Sequence, residues 1–229
     1  MLARARSSTE VVRPRRGCCH APDRHFRTFA LSHSRTLVLP YMAFPPAHML
    51  IGAGLAEAAC AGMRNPPPRW LVWSVAAVLA AGPDADIIIG ILRGRGGADH
   101  GTFSHSLTAV LIITLMGYIA GGGRWAAIGG LAYGSHLFVD LLDDSGPTNL
   151  MLGWPFSGAR PYSLGKVFPK VPVEGDGIVD TALNVLQPHA LLNLLLQTLL
   201  GAAVFAALLL LAAAIRRRRA RRTDPVAAG

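Results

Sequence analysis

Residues 189–215 form an apolar run dominated by Ala and Leu, and this run limits the possible folds more than any other segment. It exceeds the ~20 apolar residues that a helix needs to cross a bilayer. Arginines follow it directly at 216–219, 221 and 222. Because Lys and Arg concentrate on the cytoplasmic side of membrane helices, we predict a membrane span with a cytoplasmic C-terminus. The arginine block could also contact anionic lipid or nucleic acid.

The composition agrees with a membrane protein. Of 229 residues, 52% are hydrophobic and 15% are charged, which is too apolar for an ordinary soluble domain. The formal net charge is +9, but the basic residues are concentrated in 1–41 and 216–222, and no known nucleic-acid motif accompanies them. We therefore expect membrane lipids as partners and no specific nucleic acid. Cys18, Cys19 and Cys60 lack paired or metal-type spacing, which argues against a disulfide framework.

Other apolar stretches lie near 48–63, 69–92, 103–122 and 125–143. Together with the last run they predict an all-α fold, a polytopic membrane helical bundle of about four or five helices. A Gly- and Pro-rich loop precedes the last span. The first stretch is short enough to lie partly in the membrane interface. The abundance of Arg, Ala and Gly suggests a GC-rich bacterial genome, so the expected location is the bacterial plasma membrane.

The expected domain boundaries follow these changes in composition. Residues 1–41 are rich in Arg, Ser and His without a helical period. They are predicted to be a disordered tail, or a misassigned start with Met42 as the true first residue. Residues 42–215 are predicted to be the membrane-embedded domain and residues 216–229 a basic cytoplasmic tail.

Seven ionisable side chains lie at the ends of the apolar stretches. They are His48, Asp84, Asp86, His100, His105, His136 and Asp140. One Asp at the centre of a membrane helix costs roughly 2.5–3.5 kcal/mol on translocon scales, and a bound metal ion is the simplest compensation. Counting spans back from a cytoplasmic C-terminus places all seven near the outer membrane face. If the first stretch does not cross, the other six still converge.

Local spacing supports individual members of this set. The segment 82–86 reads Gly-Pro-Asp-Ala-Asp and interrupts an apolar stretch, so its proline predicts a kink or a break. A helix cap is the alternative use of these carboxylates. His136 and Asp140 are four residues apart and share one helix face. That spacing allows joint metal binding, an Asp that orients the imidazole, or a plain structural hydrogen bond.

His100 and His105 are five residues apart, which is poor spacing for one helix face. It suits a loop residue followed by a residue in the first turn of a helix. Ser104 or Thr102 is the expected cap of that turn.

A mixed set of imidazoles and carboxylates is typical of a divalent metal site. Zn²⁺ is the expected ion, with Mn²⁺ or Fe as alternatives, and the donors suffice for one or two ions. The predicted ligands are His48, Asp84, His105, His136 and Asp140. Asp86 and His100 are the predicted catalytic residues, which either bridge ions or support the ligands.

The ordered combination of these motifs resembles the YdjM-like family of LexA-regulated, membrane-bound metal-dependent hydrolases, formerly a domain of unknown function. The family pattern is an early His, a Pro-Asp-x-Asp, a His-x4-His-Ser and a Ser-His-x3-Asp, followed by Trp-Pro-Phe. Here the pattern covers about residues 42–200, with Trp-Pro-Phe at 154–156. The resemblance implies a metal-dependent hydrolase, distantly similar to zinc-dependent phospholipase C and P1-type nucleases.

The chain departs from the family pattern at two positions. Gly101 and Ser104 stand where members commonly have Arg and Thr. Arg93 or Arg95 is the candidate replacement for that arginine as an anion contact.

The stretch 144–188 is rich in Gly and Pro and is expected to lie next to the site as a lid or a substrate rim. Its candidate headgroup contacts are Trp154, Phe156, Arg160 and Tyr162, with plain interfacial anchoring as the alternative. Weaker polar candidates are Asp143, Asp144, Asp180, Asn184 and His189.

Three functions fit these patterns. The first is a membrane-bound metal-dependent hydrolase that uses a metal-activated water on a phosphoester or lipid-like small-molecule substrate. The second is a small transporter in which the His and Asp side chains relay protons or ions. The third is a metal-stabilised helical bundle without turnover. No nucleotide-binding loop or nucleophilic Ser-His-Asp motif competes with them.

Overall fold

The computed structural model describes residues 45–93, 100–142, 148–158, 160–162, 164–169 and 183–223. The predicted tail 1–41 and the candidates Arg95, Asp143, Asp144 and Asp180 lie outside these residues.

Helix α1, Pro45–Ala61, and helix α2, Arg69–Ala81, are joined by a turn that cannot continue either helix. Asn65 has a φ of 54°, in the left-handed region that Asn tolerates better than most residues. Prolines occupy 66–68, where their missing N–H groups and fixed φ favour extended backbone. The side chain of Arg124 donates to the carbonyl of Asn65 and ties this turn to a later helix.

The helical path breaks after α2, as the proline predicts. Gly82–Asp84 is a short 3₁₀ helix, and α3 continues over Ala85–Leu92. The predicted break at Pro83 is therefore confirmed, and both Pro83 and Asp84 are buried there. The tighter turn gives Asp84 and Asp86 backbone positions that a continuous α-helix would not provide.

A second 3₁₀ helix, Phe103–His105, precedes α4, Leu107–Gly121. The cap of α4 is Ser106, whose Oγ accepts from the backbone N–H of Ala109. Thr102 occupies the N-cap position of the 3₁₀ helix that contains His105, without a capping hydrogen bond from its side chain. Neither predicted cap, Ser104 or Thr102, caps α4, because the 3₁₀ turn delays the start of that helix by one turn. Gly122, at a φ of 72°, then reverses the chain into α5, Gly123–Asp140.

Helix α6, Pro188–Thr223, packs along α1, which also contacts α2 and α5. Small residues allow the close approach of α1 and α6. A Cβ added at Gly201 would lie 2.9 Å from the Cα of Ala47, and one added at Gly54 would lie 2.8 Å from a methyl carbon of Leu208. Helix α1 is thus the central element of the described bundle.

A short antiparallel ribbon covers one end of the bundle. Strand β1, Thr148–Leu150, pairs with β2, Arg160–Tyr162. Leu150 of β1 is buried, and Phe168 is buried in a cluster with Ala47 and Val139 of the bundle. The all-α expectation therefore holds for the bundle, and the ribbon is an addition within the predicted loop.

Two described helical segments are long and apolar enough to cross a membrane, Arg69–Ile89 and Pro188–Arg222. Helix α4 is apolar but shorter, and its 15 residues span about 22 Å, less than the ~30 Å hydrocarbon core. Much of α4 and α6 is nevertheless apolar and exposed, as expected of a surface that meets lipid. Four or five crossings stay a prediction.

Candidate metal centre

The seven predicted residues come together at one end of the bundle. His48 lies in the first turn of α1, Asp84 and Asp86 at the break after α2, and His136 and Asp140 in the last turns of α5. His100 and His105 lie just before α4. The side chains of His48, His105 and His136 are 0% exposed. Residues spread over more than ninety positions therefore form one buried cluster.

Four ligand-type atoms lie at the centre of this cluster. The Nε2 atoms of His105 and His136 are 3.2 Å apart. Oδ2 of Asp140 lies 3.2 Å from the Nε2 of His136 and 3.4 Å from that of His105. Oδ1 of Asp84 lies 3.4 Å and 3.9 Å from the same two nitrogens.

Hydrogen bonds on the outer side of each ring assign the tautomers of His105 and His136. Nδ1 of His136 donates to the carbonyl of Ala80 at 2.7 Å. Nδ1 of His105 lies 3.1 Å from Oδ2 of Asp86, an ionised acceptor. In the neutral form of both rings the proton is then on Nδ1, which leaves each Nε2 with a lone pair that faces the centre of the cluster.

These lone pairs face carboxylate oxygens that lack compensation. Both oxygens of Asp84 and Oδ2 of Asp140 are buried with no hydrogen-bond partner in the described part of the chain. Unpaired buried charge costs several kcal/mol. A cation at the centre would satisfy both the lone pairs and the carboxylates.

The separations also fit one tetrahedral ion. Ligand atoms at about 2.0–2.1 Å from Zn²⁺ lie about 3.3 Å from one another in tetrahedral geometry. Most of the distances above are 3.2–3.4 Å. The donor types and spacing therefore suit a divalent metal. Three overlapping groups of metal-type residues have ligand atoms within 4.8 Å of one another, namely His48, Asp84 and His136; Asp84, His100 and His105; and His105, His136 and Asp140.

His48 lies at the edge of the cluster. Its ring stacks on that of His136, with centroids 3.9 Å apart and planes 21° from parallel. Its Nε2 lies 3.5 Å from Oδ1 of Asp140. His48 therefore faces Oδ1 of Asp140, whereas His105 faces Oδ2 of the same carboxylate.

Asp86 holds the outer part of the site. Its Oδ2 accepts a 2.6 Å hydrogen bond from Ser104, and its Oδ1 lies 3.2 Å from Nδ1 of His100. Burial by itself would lower the pKa of His100, but the hydrogen bond to Asp86 and the nearby carboxylates outweigh it and raise this pKa above its usual value. Asp86 thus contacts two imidazoles and one hydroxyl.

Comparison with protein families shows which family the chain belongs to. The model of the YdjM inner membrane protein family matches residues 42–220. The chain belongs to this family. Neither the curated proteins nor the solved structures give a match.

Membership of the YdjM inner membrane protein family confirms the family resemblance seen in the motifs. With the apolar helices, it makes the chain a membrane protein. The buried His and Asp groups of this family member could hold a metal ion.

Residues without a sequence signal complete the site of this YdjM family member. The carbonyl of Ala80 fixes the His136 ring, and Ser104 bonds Asp86 instead of capping a helix. The hydroxyl of Tyr133 donates to the carbonyl of Ser104. Only a backbone contact or a long-range contact reveals these roles, so the motif spacing could not identify them.

Within the Gly/Pro-rich segment, the described residues 148–158, 160–162 and 164–169 pack onto the site end of the bundle. Backbone N–H groups of Met151 and Leu164 donate to the carbonyls of Gly101 and Leu141. The ring of Trp154 lies 6.2 Å from that of Phe103. This placement agrees with the expected rim beside the cluster.

The other polar candidates lie at the periphery. Exposed side chains include those of Arg93, Phe156, Arg160 and His189, whereas Tyr162 and Asn184 are half-buried. The described contacts do not bring them into the cluster.

Proposed function

We propose that the chain is a membrane-bound metal-dependent hydrolase that acts on a phosphoester or lipid-like substrate. The observation that supports this most strongly is the buried quartet formed by the Nε2 atoms of His105 and His136 with the inner oxygens of Asp84 and Asp140. Its donor types match a tetrahedral divalent ion, and so do four of its five stated separations, which are 3.2–3.4 Å. The fifth, between Asp84 and His105, is 3.9 Å.

Five residues are assigned as ligands under this proposal. They are His48, Asp84, His105, His136 and Asp140. A bound Zn²⁺, or Mn²⁺ or Fe, would supply a Lewis acid and a hydroxide nucleophile near neutral pH. Two of the metal-type groups contain only assigned ligands, namely His48, Asp84 and His136, and His105, His136 and Asp140, and together they provide donors for one or two ions.

The remaining two residues are assigned to positioning and proton transfer. Asp86 keeps the proton of His105 on Nδ1 and thereby leaves the lone pair of Nε2 available to bind the metal. His100, held at Nδ1 by Asp86, is assigned to proton transfer at Nε2 toward the leaving group.

The substrate class follows from the location of the site. The cluster lies at the helix ends, beside a segment in which Phe156 is 93% exposed. Trp154 of the same segment is 38% exposed, and tryptophan concentrates at the membrane interface. A substrate with a phosphoester at headgroup depth would reach this segment before the cluster. By the positive-inside rule this is the outer face.

Metal content of the purified full chain tests the proposal. We expect about one or two ions per chain by plasma mass spectrometry and their loss in His136→Ala and Asp140→Asn. His189→Ala is the matched control, because His189 is exposed and outside the cluster. A folded wild-type chain that binds no zinc, manganese or iron after supplementation contradicts the proposal.

Turnover is the second measurement. We expect hydrolysis of a chromogenic phosphodiester or of phospholipid vesicles, and a fall in kcat of roughly 10²–10⁴-fold in His100→Ala with the metal retained. Equal rates in His100→Ala and wild type contradict the role of His100.

A metal-stabilised protein without turnover is the second candidate. The full burial of His48, His105 and His136 favours it, because structural zinc sites are closed. It predicts that added zinc raises the unfolding temperature while every substrate stays intact. Metal-dependent hydrolysis that disappears in Asp84→Asn excludes this candidate. The relay transporter stays a prediction, since no contact among the described residues supports it.

A further inference from the structure

A second polar cluster lies at the opposite end of α1 from the His and Asp residues. Its centre is Glu57, whose side chain is 2% exposed. Glu57 Oε1 lies 3.0 Å from Nε of Arg69 and 2.8 Å from a terminal nitrogen of Arg216. The indole N–H of Trp73 donates to Oε2 at 2.9 Å. One buried carboxylate therefore holds the start of α2 and the end of α6 together.

A cavity of about 670 Å³ opens beside this cluster. Among its lining residues, Arg64, Arg69, Arg216 and Arg219 are positive and Glu57 is negative, so the lining has a formal charge of +3. Ligand pockets commonly have volumes of ~300–1,000 Å³. This cavity thus has the size and the charge to hold an anion.

Fixed guanidinium groups make the cavity suitable for a phosphate. A guanidinium has five N–H donors. The contact with Glu57 uses Nε of Arg69 and one terminal nitrogen of Arg216, and the side chains of these residues remain 61% and 43% exposed. Arg219 donates to the carbonyls of Gly62 and Met63, which fixes it over the turn after α1. Arginines arranged in this way are typical of bidentate phosphate recognition.

The surroundings favour a lipid over a soluble anion. Arg69 begins one candidate membrane span and Arg216 lies near the end of the other, so the cavity is at the boundary of both. Exposed Trp70 lies next to Arg69, and tryptophan concentrates at headgroup depth. Apolar residues such as Met63 and Val72 also line the cavity and would contact the glycerol and upper acyl carbons.

We propose that this cavity binds the phosphate group of an anionic phospholipid. Basic pockets between membrane helices bind such headgroups by the same charge and hydrogen-bond pattern. Glu57 positions two of the arginines for the lipid. The inference is independent of the proposed hydrolase, since no residue of the metal cluster lines the cavity.

Native mass spectrometry of the detergent-purified full chain tests the inference with phosphatidylglycerol and phosphatidylcholine. The cavity pair Arg64→Gln/Arg219→Gln is compared with Arg217→Gln/Arg218→Gln, which removes the same charge from exposed residues outside the cavity lining. We expect the cavity pair to raise the Kd for phosphatidylglycerol roughly tenfold more than the control pair. Binding of phosphatidylcholine should be weaker and the same in all variants.

The single variant Arg64→Gln guards against misfolding, because Arg64 is exposed while Arg219 also contacts backbone. We expect it to weaken phosphatidylglycerol binding about fivefold, with Arg218→Gln near wild type. Equal losses in the cavity and control variants overturn the inference in favour of diffuse charge. Displacement of the lipid by millimolar inorganic phosphate overturns the choice of a lipid in favour of a soluble phosphate.

Discussion

At the scale of single residues, Asp86 determines the state of two imidazoles. Its two oxygens contact Nδ1 of His105 and Nδ1 of His100, and Ser104 donates to it as well. A carboxylate in this position fixes the tautomer and the orientation of a metal-binding imidazole. In the proposed metal site, the affinity of the cluster for a divalent ion therefore depends on a residue that we do not assign as a ligand.

Asp86→Asn should lower the affinity for Zn²⁺. We expect a loss of roughly 10–100-fold, because the amide no longer holds the proton of His105 on Nδ1 by charge. Competition with a chelating dye measures this affinity in the purified full chain. Tyr133→Phe is the control, since it removes one hydrogen bond to the Ser104 carbonyl and no charge. If Asp86→Asn binds zinc as tightly as the control, Asp86 does not support the ligands.

The sequence predicted the members of the cluster but not the contacts that hold them. The spacing of His136 and Asp140 places them on one helix face. The other members were predicted because an ionisable side chain in an apolar, membrane-length segment is energetically costly. His136 donates to the backbone carbonyl of Ala80. Because every residue has a backbone carbonyl, the sequence does not show which one accepts this hydrogen bond. Such partners follow only from tertiary packing.

At the scale of elements, glycine contacts set the distance between α1 and α6. Gly201 of α6 lies against the backbone of Ala47, the residue before His48. Small residues allow this kind of close approach between membrane helices. The position of His48 therefore depends on a glycine in a helix that provides no residue of the cluster.

Gly201→Val should both destabilise the bundle and weaken metal binding. Its Cβ would lie 2.9 Å from the Cα of Ala47, and overpacking of this kind typically costs about 1–3 kcal/mol. Denaturant unfolding in detergent and zinc titration measure the two effects. Gly123→Ala is the control, because a Cβ there meets nothing within 4 Å. Wild-type stability in Gly201→Val contradicts the close packing.

Helix positions were predictable from hydropathy, and helix starts were not. The apolar stretches near 103–122 and 125–143 correspond to α4 and α5 within a few residues. The start of α4 differs because Phe103–His105 forms a 3₁₀ turn, so that Ser106 rather than Ser104 becomes the cap. Serines at neighbouring positions have the same propensity to cap a helix. The hydrogen bond from Ser104 to Asp86 decides between them, because it engages the Ser104 hydroxyl and leaves Ser106 as the cap.

At the scale of the whole molecule, the two polar clusters occupy different ends of the same bundle. His48 and Glu57 are nine positions apart in α1, which is about 13.5 Å along the helix. Glu57 pairs with Arg216, which is 159 positions away, so no local pattern could predict this contact. One end of the bundle is rich in metal-type ligands and the other in guanidinium groups.

This asymmetry predicts which membrane face each cluster occupies. Because arginines stay on the cytoplasmic side, the end that contains Arg216 should face the cytoplasm and the His and Asp cluster the outside. Labelling tests this with Phe156→Cys and Arg222→Cys, two exposed positions near opposite ends, after Cys18, Cys19 and Cys60 are replaced by Ser.

A membrane-impermeant maleimide should label Phe156→Cys and not Arg222→Cys in right-side-out spheroplasts, with the reverse in inverted vesicles. Detergent should expose both positions, which controls for reactivity. Labelling of Arg222→Cys in intact spheroplasts would mean that the arginine end faces outward. The substrate of the proposed hydrolase would then have to come from the cytoplasmic leaflet, because the His and Asp cluster lies at the other end of the same helices.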